Sequence, residues 1–231
     1  SLTTRKILPR QISVCKSNFS QIDHAFSNLL IKSILLKSYY LDTIDPDTIS
    51  IYGQMALNIN EVHCLAMTDA LVESNYFNEY SIQQIIAVFS CFTNIRVSDE
   101  IKLPTPKYCD YPTQQLINYL QSRMDYFYQE EVNHNIYSGA NYDMHFDMVE
   151  AALKWCYCDT EQNCIQFLTN LKHEKNIFVG EFTKAILKIN NIAKELSKIC
   201  EKMGQIDLLS KLTAIGPMTL KYICTTQSLY I

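Results

Sequence analysis

The chain has 231 residues, 48% of them hydrophobic, which is enough apolar side chain to bury a sizeable core. Only 19% are charged and the formal net charge is −4, which excludes a polycationic wrapper of nucleic acid and leaves room for a local basic patch at most. Five glycines and six prolines are too few for a many-turned β fold or for glycine-rich phosphate loops, so helices are favoured, and no apolar run reaches the roughly 18 residues of a membrane span.

The chain opens Ser1-Leu2-Thr3-Thr4-Arg5, with no initiator Met and no leader pattern, and so reads as a fragment of a longer protein. From Asn18 to Tyr40, apolar residues recur at spacings of three and four, predicting one amphipathic helix that ends at Asp42–Asp47. Ile49 and Ile51 alternate with Ser50 and Tyr52 after the Asp45-Pro46-Asp47 turn, which predicts a minor β wing near residues 48–53. Val62 to Val72 fits a helix. Ser81-Ile-Gln-Gln84 is a capping box that opens another, carrying Ile85, Ile86, Val88, Phe89 and Phe92. Asn94 to Pro112 is a loop, after which Thr113 is expected to cap a long helix running toward Asn133.

Asp143 to Tyr157 and about Thr160 to Leu171 read as two shorter helices. Phe178 to Met203 is the most regular segment: Ile186, Ile189, Leu196 and Ile199 form a buried stripe, lysines take the other faces, and Gly204 sits where a helix-ending glycine belongs. A last helix from Asp207 to Tyr230 is expected to break at Gly216-Pro217. No internal repeat is present, so the expected fold is mainly α, a multi-helix bundle.

Phosphate-binding loops of the Gly-x-x-x-x-Gly-Lys-Ser/Thr and Gly-x-Gly-x-x-Gly types do not occur, nor do Gly-x-Ser-x-Gly or His-Glu-x-x-His, so no catalytic residue and no resident cofactor are assigned. Nine cysteines, at 15, 64, 91, 109, 156, 158, 164, 200 and 224, lie mostly on apolar helical stretches, the pattern of reduced thiols in an intracellular, nuclear or cytoplasmic compartment. Abundant Ile, Asn, Lys and Tyr fit an A/T-rich gene, as in a large DNA virus or a protozoan, which adds a viral factory or virion to the compatible settings. Cys156, Cys158, Cys164 and His173 can be drawn as a zinc site, but the Cys-x-Cys spacing in a helical setting is poor for tetrahedral ligation, so buried thiols are expected and no metal is assigned. His63 beside Cys64 faces a different direction on a helix, and His145 and Asp147 point apart, which leaves no acid–base or nucleophilic pair. Tyr126, Phe127 and Tyr128 could stack on bases or belong to the core. Lys184 and Lys188, four apart, present two ammonium groups on one face, either to meet phosphate or as a solvated lysine face.

The succession Gly53-Gln-Met-Ala56, Thr68-Asp69, Tyr76-Phe77-Asn78-Glu79, Gln84-Ile85-Ile86-Ala87 and Ser90-Cys91-Phe92 resembles the front of the DSHCT domain, the C-terminal helical domain of superkiller-type DExH RNA helicases that feed the RNA exosome. Trp155-Cys156, Gly180, Lys194-Glu195-Leu196, Gly204, Leu208 and the terminal Ser228-Leu229-Tyr230-Ile231 resemble its back half. The resemblance implies a domain over 51–231, preceded over 1–50 by a linker, winged-helix or arch remnant with one amphipathic helix. It implies a ratchet-type long helix walling a channel for single-stranded RNA, with Lys184, Lys188 and Asp69 as RNA-contacting residues. It further implies that ATP and Mg belong to the RecA-like core of the same polypeptide, a 3′–5′ RNA helicase, that exosome or adaptor proteins are partners, and that the membrane is not. Departures from the family pattern are Lys188 in place of arginine, Tyr157-Cys158 after Trp-Cys, a longer stretch between Trp155 and Gly180, and Gly216-Pro217. The alternative reading is a stand-alone helical protein-interaction module without RNA binding, suggested by 15 Tyr and 10 Phe.

Overall fold

The computed structural model describes residues 28–45, 47–222 and 224. The predicted helix start at Asn18, Pro46 and the terminal Ser228–Ile231 motif lie outside them. Among the described residues the chain is all-helical, apart from one isolated antiparallel bridge between Leu41 and Ile49. The elements are α1 (28–37), α2 (Ile51–Ala56), α3 (Cys64–Glu73), α4 (Ile82–Ser90), α5 (Tyr111–Asn133), α6 (Val149–Cys156), α7 (Glu161–Lys175), α8 (Val179–Met203) and α9 (Ile206–Thr219). Among the described residues the chain divides between two compact units, one within 28–54 with 127–139 and the other within 55–126 with 140–224.

In the first unit the expected β wing is replaced by a turn and a helix. Asp42 accepts the N–H groups of Ile44 and Asp45 at 2.7 and 3.0 Å, and the returning strand-like segment is held by Asp42 N–H on the Thr48 carbonyl and Ser50 N–H on the Tyr40 carbonyl. Pairing stops there, because the Ser50 hydroxyl accepts the Gly53 N–H at 3.2 Å and its carbonyl takes the Gln54 N–H, starting α2. Four alternating residues are too few to hold a ladder against a serine cap. Tyr40, 2% exposed, meets Phe127 edge-to-face at 6.4 Å, so the middle of the Tyr126–Tyr128 run is core while Tyr128 is exposed.

The second unit is built around α4, α6, α8 and α9: α8 packs on α9, α4 on α6, and α4 touches α8 and α9 as well. Local chemistry marks most helix ends. Ser81 and Gln84 form the expected capping box, and Thr160 accepts the Asn163 N–H. Gly204 ends α8 with φ 68°, a conformation that costs glycine nothing. The long helix α5 departs from expectation at its start, where Asp110, not Thr113, is the cap, accepting the Thr113 N–H and hydroxyl, both at 3.0 Å. Burial works to raise the Asp110 carboxyl, but the hydrogen bonds from Thr113 and Gln84 outweigh it and hold the pKa below the usual value. The helix predicted from Asp143 starts only at Val149, because Asp147 is buried and its Oδ1 accepts the Leu103 N–H at 2.8 Å.

Trp155, fully buried, lies against Phe182 at 5.1 Å and Phe167 at 5.4 Å. α9 runs through Gly216-Pro217 without breaking there and ends at Thr219. Its last turn is held instead by tertiary bonds: Asn190 of α8 donates to the Thr219 hydroxyl at 2.9 Å, and Trp155 of α6 donates to the Thr219 carbonyl at 2.8 Å. These bonds supply anchorage that compensates for the backbone bond a proline removes.

Candidate nucleic-acid interface

α8 carries the basic face singled out in the sequence. Its 25 residues bury Phe182, Ile186, Ile189, Ile192, Leu196 and Ile199 on one side, which turns the lysines outward. The Phe178 N–H donates to Glu181 Oε2 at 3.1 Å and so closes the first turn. Lys184, one turn further on, is exposed and makes no hydrogen bond or ion pair among the described residues. Its ammonium is available to an anion.

Lys188 is not so placed. Its Nζ donates to the Glu61 carbonyl at 2.5 Å and to Glu61 Oε2 at 2.7 Å. Two turns along, Glu195 accepts the Asn60 N–H at 2.8 Å and its side-chain amide at 3.0 Å on Oε1, and the Glu61 N–H at 2.8 Å on Oε2. Two turns beyond that, Lys202 donates to Asn58 Oδ1 at 3.1 Å. A spacing of seven returns a side chain to nearly the same face, about 10.5 Å along the axis. Lys188, Glu195 and Lys202 therefore form one stripe, along which the segment between α2 and α3 is laid backward from Glu61 to Asn58. The alternating charges of the stripe are visible in the sequence, but the segment they hold, from Asn58 to Glu61, carries no local signal.

Asp69, on α3, accepts the Arg123 Nε–H at 2.7 Å, and the Arg123 guanidinium lies over the Tyr126 ring at 4.4 Å. The Asp69 and Arg123 side chains keep 19% and 26% of their exposure, so the pair is partly buried, with its cation stacked on Tyr126. The neighbouring Thr68 hydroxyl is buried without a hydrogen-bond partner among the described residues. Lys184 and Lys188 thus share α8, while Asp69 belongs to a separate ion pair between α3 and α5.

The remaining sequence candidates have structural jobs. His63 Nδ1 accepts the Ala66 N–H at 3.2 Å and caps α3, and burial pushes the neighbouring Cys64 thiol up. Burial likewise raises Cys156 and Cys200 to about 11, so these thiols are protonated and inert at neutral pH. No group of three or more metal-ligating side chains occurs among the described residues, and His173 is exposed. An open cleft between α6 and α7 is lined by Glu150, Lys154, Glu174 and Lys175, of which Glu150 pairs with both lysines, at 2.7 and 3.8 Å.

With the long helix and its basic face in view, comparison with family models is decisive: the DSHCT (NUC185) domain matches residues 46–219. The chain belongs to the DSHCT family. The match starts at the Asp45–Thr48 turn and ends with α9, so it takes in α2 through α9. DSHCT domains are accessory C-terminal regions of superkiller-type helicases. Comparison with curated proteins returned no match. No helix among the described residues is long and apolar enough to cross a membrane.

Proposed function

We propose that this DSHCT domain is the RNA-facing accessory domain of an ATP-dependent 3′–5′ RNA helicase of RNA processing or decay. On this reading α8 lies along single-stranded RNA, the RecA-like core of the same polypeptide supplies ATP, Mg and the motor, and exosome or adaptor proteins are the further partners. The observation that carries the reading is the exposed ammonium of Lys184 on the long helix of a helicase-associated family. A directed cation suits a channel wall, because phosphate contacts position a strand without reading its sequence. Lys188 and Asp69 join it only by exchanging their protein partners for RNA.

Ultraviolet crosslinking of a uridine-rich RNA to the chain, followed by peptide mapping, tests this. Crosslinks on the segment 179–203 that vanish in Lys184→Glu are expected, and crosslinks confined to other helices would overturn it. The reading as a protein-interaction module is favoured by a different observation, the exposed apolar side chains of the first unit, Leu29 at 65%, Ile44 at 94% and Tyr137 at 93%.

A further inference from the structure

Lys188 reaches two oxygens of one residue, the carbonyl and the carboxylate of Glu61. A carboxylate and a phosphodiester offer an ammonium the same thing, an anionic oxygen at charge-assisted hydrogen-bond distance. We propose that the Glu61 carboxylate is a displaceable stand-in for an RNA phosphate, masking Lys188 until a strand seated on Lys184 takes its place. The proposal rests on the reading of α8 as RNA-facing and assigns to that face a gate.

Two features make the exchange inexpensive. The Lys188 and Glu61 side chains keep 31% and 33% of their exposure, so water already reaches the pair, and an ion pair so placed contributes little net stability. The backbone around Glu61 does not depend on it: Ile59 is buried, Glu195 holds the Asn60 and Glu61 N–H groups, and Lys202 holds Asn58. Only the Glu61 side chain has to swing.

The entry point is next door. Lys184 stands one turn before Lys188 on the same face, exposed and unengaged among the described residues, so a polyanion can gain its first contact before the Glu61 pair opens. The gate then selects for ligands that carry a second negative charge close to the first. An isolated anion satisfied by Lys184 has no means of displacing Glu61, whereas adjacent phosphates of one strand do.

The test is fluorescence anisotropy with a labelled uridine 20-mer at low salt, using the 231-residue chain. Glu61→Gln is expected to tighten binding by about twofold to fivefold, the range one partly exposed ion pair can supply. Glu61→Ala, which retains the carbonyl that Lys188 also uses, gives a gain in the same direction. Combining Glu61→Gln with Lys188→Gln returns affinity to that of Lys188→Gln alone. Circular dichroism melting checks that each variant keeps the parent's fold. Wild-type binding with no gain in either Glu61 variant would overturn the gate and leave the RNA reading standing. No binding by the wild type or by either variant would remove the RNA reading and the gate together.

Discussion

The Trp155 indole N–H donates to the carbonyl of Thr219, sixty-four residues away, across a fully buried 2.8 Å hydrogen bond. That bond joins α6 to the last turn of α9, where Asn190 of α8 also donates to the Thr219 hydroxyl. Three helices meet at one residue. Trp155→Phe keeps an aromatic ring but removes the donor and some buried ring volume, leaving the Thr219 carbonyl with only the Lys221 N–H at 3.1 Å. It should destabilise the domain by about 1–3 kcal/mol in urea unfolding followed by far-ultraviolet circular dichroism. A loss below about 0.5 kcal/mol would mean that the bond is not needed.

Glu195 holds the segment between α2 and α3 through three accepted hydrogen bonds. Glu195→Ala should lower stability by about 1–3 kcal/mol, because two backbone N–H groups lose a charged acceptor, and should expose residues 57–63 to proteolysis. Limited digestion with cleavage sites mapped by mass spectrometry reads this directly. Cleavage elsewhere first would contradict it.

A side chain at Gly53 would overlap both the Ile49 side chain and the Tyr40 carbonyl oxygen. Backbone cannot yield as a flexible side chain can. Gly53→Ala is expected to destabilise the first unit by about 1–3 kcal/mol, detectable as faster amide exchange at Tyr40 and Ser50. Unchanged exchange at both amides would show that the turn relaxes freely.

Asp110 caps α5 with a depressed carboxyl pKa, so its contribution to stability is complete above the usual carboxylate value and is lost as pH falls through the lower folded value. Asp110→Ala should cost about 1 kcal/mol at neutral pH and flatten the acid limb of the stability profile. Asp110→Asn retains a capping oxygen and should recover much of the neutral-pH loss. The measurement is urea unfolding at a series of pH values, and parallel acid limbs in Asp110→Ala and the parent would refute the assignment.

Burial raises the thiols of Cys64, Cys91, Cys156 and Cys200. Iodoacetamide at neutral pH should label these four far more slowly in the folded chain than in guanidinium, as followed by peptide mass spectrometry. One hyper-reactive thiol among them would reopen a catalytic reading for cysteine.

Helix ends built from neighbouring residues were legible in the sequence. Ser81 with Gln84, Thr160 with Asn163, and Gly204 act within three or four residues, so the pattern contains its own partner. Local spacing misleads where a competing group lies just outside the pattern, as where Ser50 caps α2 within the expected wing and Asp110 precedes the expected Thr113 cap. At the candidate interface the residue types and the helix face were readable, but their engagement was not. Lys184 and Lys188 look equivalent in sequence, and only one of them is free of partners among the described residues.

By itself, the sequence determined the helical class, the span and buried stripe of α8, the absence of phosphate-binding loops and the resemblance to the DSHCT family, because periodicity, capping and ordered short motifs are properties of neighbouring residues. Tertiary structure decided that Glu61 engages Lys188, that Arg123 engages Asp69, and that α9 passes through Pro217 on bonds from Asn190 and Trp155. The first two contacts join residues 127 and 54 positions apart. Which charges meet at such separations is set by how apolar helix faces pack, and local spacing carries no record of it.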